Sequence, residues 1–442
     1  MRKNSIILLL VLAVLAMRES AAQPKEPAMF LNELVERLVS ENYGIELLRM
    51  DQEKAENNVT NAQFLPSITG SASQRQNING AIGPLPDDAE RWGTVNTLGA
   101  GVSMSWTLFD GLGMFATHDR QKKLLTVSEL ELRSGIERQV AEVGNYYYQI
   151  ISLVNKVAVA RELIEFSQQR YEEVLLKWSL ESAAGLEVTL AKTDLNADSS
   201  SLIRQLEELD IAYINLNSKL NLDYNMRGYI NDTIIPRKKL GKEDLLAELM
   251  ENNTDLLLAR NGIEIADIDV RLARAAKFPT LGFGGGYNYS ATDQNNFRGT
   301  FANSNGFNWG FNMSVNIFEG LEAKRKLNNA RIDQARSKVN ESNVENLVLN
   351  SFNSLYANYA NNLQLIDFET ENSEASRKNL EIAMLRWRLG DMSGLDFRNI
   401  QQQYLAAVDR KLNVIYQAKV SEIALLMLAG RIVETIYYET PE

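Results

Sequence analysis

The sequence predicts an α+β membrane protein made of two internal repeats, each joining a pair of membrane-length β-strands to very long coiled-coil helices. Three observations lead there. One segment occurs twice at a fixed spacing, strict alternation runs for a dozen residues in two places, and a seven-residue apolar rhythm fills much of the rest.

The repeated segment comes first, because a long internal repeat implies duplicated architecture. Met104-Ser105-Trp106-Thr107-Leu108-Phe109-Asp110-Gly111 returns 209 residues later as Met313-Ser314-Val315-Asn316-Ile317-Phe318-Glu319-Gly320. The same offset carries Lys177-Trp178 onto Arg386-Trp387, and Gly185-Leu186-Glu187-Val188 onto Gly394-Leu395-Asp396-Phe397. No gap is needed between these anchors.

Two strands follow from period-two alternation. Over 97–108, Leu98, Ala100, Val102, Met104, Trp106 and Leu108 share one face, and small or polar residues share the other. Over 307–317, Phe307, Trp309, Phe311, Met313, Val315 and Ile317 alternate with Asn308, Gly310, Asn312, Ser314 and Asn316. Each is preceded by a partner, 67–77 and 280–290, which gives hairpins at 66–109 and 279–318. Gly284-Gly285-Gly286 lies inside one of these partners and is no phosphate loop. The hairpin loops, about 78–96 and 291–306, are rich in Gly, Asn, Asp and Pro. Strands in soluble proteins usually stop at five or six residues. These are long enough for a transmembrane barrel, with an apolar face to lipid and a polar face to the lumen. Trp106, Phe307, Trp309 and Phe311 are the predicted lipid-facing residues. Four strands cannot close a barrel, so it must be shared between subunits, and eight strands from two or twelve from three both satisfy the arithmetic.

The helices follow from the heptads. Ile136, Val140, Val143, Tyr147, Ile150, Val154, Val157, Ile164, Tyr171, Leu175 and Trp178 recur in 4-3 steps, broken only by Arg161 and Gln168. Leu349, Phe352, Tyr356, Tyr359, Leu363, Ile366, Leu380, Met384 and Trp387 keep the same phase in the second repeat. Such a repeat predicts a left-handed coiled coil, and some 65 residues would make a rod of about 100 Å. Turns near 181–185 and 390–394 precede return helices 186–222 and 395–432. Shorter helices, 28–62 and 242–276, end at Phe64-Leu65-Pro66 and Phe278-Pro279, where proline switches helix to strand. The first repeat is thus 23–222, the second 242–432, with a linker over 223–241 and a tail over 433–442.

Composition narrows the class. Arg2 and Lys3, an apolar run from Ile6 to Met17 and the small residues Ser20-Ala21-Ala22 predict an export signal over 1–22. The absence of cysteine removes disulfides, thiolate metal sites and a lipidated N-terminal cysteine. A net charge of −11 argues against nucleic acid. A single histidine, His118, reads as an ordinary helix-start residue. No nucleophile beside a base, metal cluster or cofactor motif stands out, so no catalytic, cofactor-binding or metal residues are expected.

The order of elements, the Phe-Leu-Pro entry to the strands, the Phe-Asp-Gly and Phe-Glu-Gly exits, and Arg386-Trp387-Arg388-Leu389-Gly390-Asp391-Met392-Ser393 resemble the TolC-like outer membrane efflux proteins. The resemblance implies a homotrimer whose twelve strands close one barrel, continued by a helical tunnel across the periplasm. It implies a passive exit duct of a tripartite efflux pump or type I secretion system, not an enzyme. Partners would be a periplasmic adaptor, an inner-membrane pump of RND or ABC type, and outer membrane lipid. By the same resemblance Asp396, with Glu187 as its first-repeat counterpart, would ring the periplasmic pore entrance, although Asp396 also suits a helix cap. Gly390, Asp391, Met392 and Ser393 would meet the adaptor. The first-repeat turn departs from the pattern, with Glu181 where glycine is expected. The competing reading is a periplasmic coiled-coil adaptor or scaffold without a barrel.

Overall fold

The structure, a computed structural model, describes residues 29–80, 92–182, 184–228, 230, 232–238, 240–295 and 300–438. The predicted export signal, most of the first hairpin loop, the middle of the second and the end of the tail lie outside the described residues. In chain order the elements are α1 (Leu31–Glu41), α2 (Tyr43–Asn58), a 3₁₀ turn (Ala62–Phe64), β1 (Ser67–Gly80), β2 (Trp92–Phe109), α3 (Gly113–Ser179) and α4 (Gly185–Lys219). They continue as α5 (Lys242–Asn252), α6 (Thr254–Ala275), β3 (Thr280–Asn295), β4 (Thr300–Ser314), α7 (Glu322–Arg388), α8 (Gly394–Leu428) and α9 (Ile432–Tyr438). The chain divides into two compact units, one built from Leu48–Leu132 and Thr254–Asn346, the other from the remainder.

The first of these units holds one antiparallel sheet in the order β1-β2-β3-β4. Its register matches like with like. Ile68 pairs with Met104, Met104 with Gly285 and Gly285 with Trp309; Trp106 pairs with Phe283 and Phe283 with Phe311. The alternate positions pair Ser67 with Ser105, Ser105 with Gly284 and Gly284 with Gly310. A slip of one residue would exchange the two faces. The strand pattern ends earlier than the alternation suggests. Thr280 opens β3 and pairs with Ser314, so Val315 and Ile317 have no partner strand and lie beyond β4. In the first repeat a bulge between Thr107 and Phe109 takes Leu108 out of register and returns Phe109 opposite Leu281.

The other unit is helical. The two long helices, each of which begins in the sheet unit, both have 67 residues and the two return helices both have 35. Every described residue with φ in the left-handed region has a counterpart at the 209 offset: Gly111 and Gly320, Leu112 and Leu321, Glu181 and Gly390, Asn221 and Gly430. The second-repeat heptad holds through its whole length, with Phe352, Tyr359, Ser373, Leu380 and Trp387 buried seven or fourteen residues apart. The first does not. Val143, Ile150 and Val157 are buried as expected, but the seam then moves one residue back, to Ala160, Leu163, Ser167, Arg170 and Val174. Arg161 and Gln168 therefore sit off the seam. Within one chain Trp178 is 52% exposed while its counterpart Trp387 is 8% exposed.

The short helices also differ from expectation, because each is broken once, at Asn42 and at Asn253. Asn42 Nδ2 donates to the Lys219 carbonyl at 2.8 Å, and Asn253 Nδ2 donates to the Leu428 carbonyl at 3.0 Å. Both acceptors are last-turn carbonyls that a helix leaves unpaired. Asn42 Oδ1 also accepts from the Ile45 N–H, restarting the chain as α2. An asparagine that competes with the backbone can end a helix without proline or glycine. The described residues of the predicted linker are held at several points. Asn217 Nδ2 holds the Asp223 and Met226 carbonyls, Tyr213 the Gly228 carbonyl and Tyr147 the Asp232 carboxylate. Further on, Glu422 accepts from the Arg237 N–H at 2.9 Å and Tyr356 donates to the Leu240 carbonyl at 3.0 Å. Burial and the Asp232 carboxylate push the Tyr147 hydroxyl pKa well above its ordinary value.

Candidate functional site

The turns joining long and return helices hold the residues singled out for the pore entrance and the adaptor. Helix α7 ends in a Schellman arrangement: Gly390 N–H donates to the Trp387 carbonyl at 3.0 Å and Asp391 N–H to the Arg386 carbonyl at 2.9 Å. Gly390 has φ +77°, the left-handed conformation that the motif requires. Helix α3 ends the same way, with Glu181 N–H on Trp178 and Ser182 N–H on Lys177, but Glu181 takes the strained position with φ +60°. Glu181→Gly is expected to raise the thermal midpoint, releasing about 1 kcal/mol of strain, and Gly390→Ala to lower it by a similar margin.

Asp391 pairs with Arg386, both Nε and Nη2 approaching one carboxylate oxygen at 3.0 and 2.8 Å, on an exposed surface. Met392 turns inward and packs against the cluster of Leu163, Trp387 and Phe397. Ser393 caps α8: the Asp396 N–H donates to Ser393 Oγ at 3.1 Å, and Ser393 Oγ donates to Asp396 Oδ2 at 2.7 Å. The Asp396 side chain therefore belongs to a reciprocal cap close in kind to a capping box. Glu187 occupies the corresponding place in the first turn of α4, where Ala184 offers no side-chain cap. Both carboxylates are exposed, and each also favours the positive end of its helix. Gly390, Asp391, Met392, Ser393 and Asp396 are thus brought together in one turn, with Glu187 in the matching turn of the other repeat.

Behind these turns lies a charged network that sequence reading missed. Arg398 on α8 forks onto Asp198 of α4, with Nη1–Oδ2 at 2.7 Å and Nη2–Oδ1 at 2.8 Å. Arg170 of α3 reaches Asp194 of α4 at 2.8 Å, and its guanidinium carbon stands 5.9 Å from the centre of the Phe397 ring. Ser167 donates to Asp198 at 2.6 Å and accepts from Gln401 at 3.0 Å. Two arginines and two aspartates balance, which is how a buried charge group is tolerated. Burial opposes the Arg398 charge, but the Asp198 hydrogen bond and both carboxylates outweigh it and hold its pKa above the ordinary value. A Cβ on Gly394 would stand 2.8 Å from Arg170 Nη2, so glycine there leaves room for the guanidinium. The signal in the sequence was Asp194 and Asp198 at i, i+4 facing Arg398 and Gln401 at i, i+3.

The predicted lipid-facing residues all lie on the apolar face of the sheet. Trp309 is 65% exposed, and its ring lies 6.4 Å from those of both Phe283 and Phe311. Phe307 and Phe311 are similarly open, and Trp106 less so, its Nε1 donating to the Phe64 carbonyl at 2.9 Å. Ile68, Leu98, Ala100, Val102, Met104, Tyr287, Tyr289 and Met313 share the face, with Gln74, Asn303 and Asn305 in its rows towards the loop end. Between Leu98 and Phe109, at about 3.4 Å per residue, the apolar band would stand roughly 25–30 Å tall at the tilt of about 40° usual in a barrel wall. That matches the apolar band of an outer membrane barrel, about 25 Å. His118 lies edge-on to Phe64, with ring centres 5.7 Å apart, as a packing residue near the start of α3.

A sheet of this kind, with helices of this length, is shared with known proteins. Residues 245–431 match the sequence model of the outer membrane efflux protein family. Over 91% of its length the chain is 24% identical to the probable outer membrane lipoprotein SilC of Salmonella typhimurium, covering 86% of that protein. It is 23% identical to the cation efflux system protein CusC of Escherichia coli K12, covering 91% of this chain and 87% of that one. The outer membrane channel CmeC of Campylobacter jejuni shares the fold, with a TM-score of 0.76 at 17% identity over 93% of this chain and 90% of that one. The chain is similar to the outer membrane efflux proteins through its second repeat by the family model and over nearly its whole length by these relatives, and its place is the outer membrane, extending into the periplasm.

Proposed function

We propose that three copies of this chain close one twelve-strand barrel, that their paired long helices line a passage through the periplasm, and that the assembly is the exit duct of a tripartite efflux pump or type I secretion system. The observation that carries this reading is the register-matched division of the sheet into an apolar and a polar face. β1 and β4 each leave one edge unpaired, and in lipid every unsatisfied backbone group costs several kcal/mol. Pairing β1 of one copy with β4 of the next removes both edges. The family's role is transport rather than catalysis, and recognition and energy would come from an adaptor and an inner-membrane pump.

In this reading Gly390–Ser393 and the Glu181 turn offer the adaptor two unlike surfaces, one closed by glycine and capped by serine, the other strained and uncapped. Asp396 and Glu187 stand at the entrance as carboxylate rings that favour cations. The description of CusC as a cation efflux system protein makes cations one cargo to test. A periplasmic scaffold would have no use for so tall an exposed apolar band, which counts against that alternative.

The test is the native mass of the protein extracted by detergent from outer membranes, with the reversal potential of the reconstituted channel. Three subunits are expected, and Asp396→Asn with Glu187→Gln is expected to reduce cation preference. A monomer that needs no detergent would overturn the duct. Unchanged selectivity in a trimer would remove both carboxylates from the axis.

A further inference from the structure

Across the four strands only two described residues are charged, Arg75 and Asp293, and they lie on opposite faces. Asp293 continues the line of Tyr287, Tyr289 and Ala291 beyond the apolar band, opposite Phe301. Arg75 lies on the polar face, in one row with Thr97, Thr292 and Ala302. The rows on either side of it on that face bring Ser73, Asn77, Gly99, Val95, Ser290 and Ser304. None is acidic, and Arg75 is exposed with no ion pair to any described residue. Among the described residues the strand wall therefore carries one positive charge per chain with no acidic neighbour on its face, eight residues along β1 from Ser67 and towards the loop end of the hairpin.

We infer that Arg75 sets the ionic preference of the outer half of the barrel, favouring anionic solutes and opposing the entry of cations from outside. The inference rests on the shared barrel proposed above, in which the polar face lines the lumen. Twelve strands spaced about 4.8 Å apart and tilted about 40° enclose a wall roughly 24 Å across. An arginine reaches some 6 Å inward from such a wall, so three guanidiniums at one height stand about 6 Å from the axis. That is inside the Debye length of about 8 Å at physiological ionic strength, so their field covers the whole opening. Rings of arginine or lysine select anions as rings of carboxylate select cations.

The full-length channel in a planar bilayer under a tenfold KCl gradient tests this. Arg75→Ser is expected to lower the Cl⁻/K⁺ permeability ratio about threefold, the change produced when the axial potential falls by roughly half a kT. Arg75→Glu should shift it further in the same direction, and Arg75→Lys should keep the unmodified preference. Because the sequence has no cysteine, Ser73→Cys introduces a unique thiol on the same face. A charged methanethiosulfonate reagent should then change the current in up to three steps. If Ser73→Cys reacts in this way but Arg75→Ser leaves the reversal potential unmoved, the lumen stands and the role of Arg75 is overturned. If Ser73→Cys is untouched by the aqueous reagent, the barrel reading fails and the inference falls with it.

Discussion

Trp309→Arg is expected to abolish assembly of the protein in the outer membrane. Trp309 lies within the apolar band, five residues from the end of β4, directly opposite Gly285 and beside the rings of Phe283 and Phe311. A guanidinium on the lipid face near mid-depth costs about 2–4 kcal/mol per copy. In the proposed trimer the three copies together would lose about 6–12 kcal/mol, comparable to the whole stability of a folded domain. The neighbouring substitution Asn308→Arg points to the other face, opposite Gly286, and should assemble normally. The readout is the amount of detergent-extracted oligomer recovered from outer membranes for each variant. Normal assembly of Trp309→Arg together with loss of Asn308→Arg would mean the faces are assigned the wrong way round.

The second large effect is expected at Asp198. Replacing it with alanine removes both hydrogen bonds of the Arg398 fork and strands a guanidinium whose side chain is only 13% exposed. Breaking one half of a buried pair typically costs 3–5 kcal/mol. Because Asp194 remains 3.5 Å from Arg398, a loss of about 3 kcal/mol is expected. Thermal unfolding of the solubilised protein measures it. Asp391→Ala, which breaks the exposed Arg386 pair, serves as the comparison and should cost well under 1 kcal/mol. Equal effects from the two variants would show that the Arg398 fork is no more buried in solution than the Arg386 pair.

These two sites mark what could and could not be read from the residues. The strand faces were legible because side-chain direction has period two, and Phe307, Trp309 and Phe311 admit only one assignment. The second-repeat seam was legible because Phe352, Tyr359, Leu380 and Trp387 hold their phase. The first-repeat seam was lost beyond Val157, because Arg161 and Gln168 were read as interruptions of the seam when they mark the place where it had moved. Arg170, Asp194, Asp198 and Arg398 were invisible for a related reason: a charged residue on a helix is ordinarily a surface residue, and only its partners in space make it an interior one. Asn42 and Asn253 broke their helices through a side-chain amide and not through proline or glycine. Asp396 suited two roles equally well, and the structure adds Ser393 as its capping partner.

The paired left-handed residues, from Gly111 to Asn221 in one repeat and from Gly320 to Gly430 in the other, keep the same spacing without a single insertion or deletion. The helical arms therefore behave as two rulers cut to one length. A deletion of one heptad in α3 would have to be answered by the same deletion in α4, α7 and α8, or the Arg398–Asp198 fork would fall out of register. Length in this chain is an inherited dimension that tolerates change only in concert, while the hairpin loops remain free to vary one at a time.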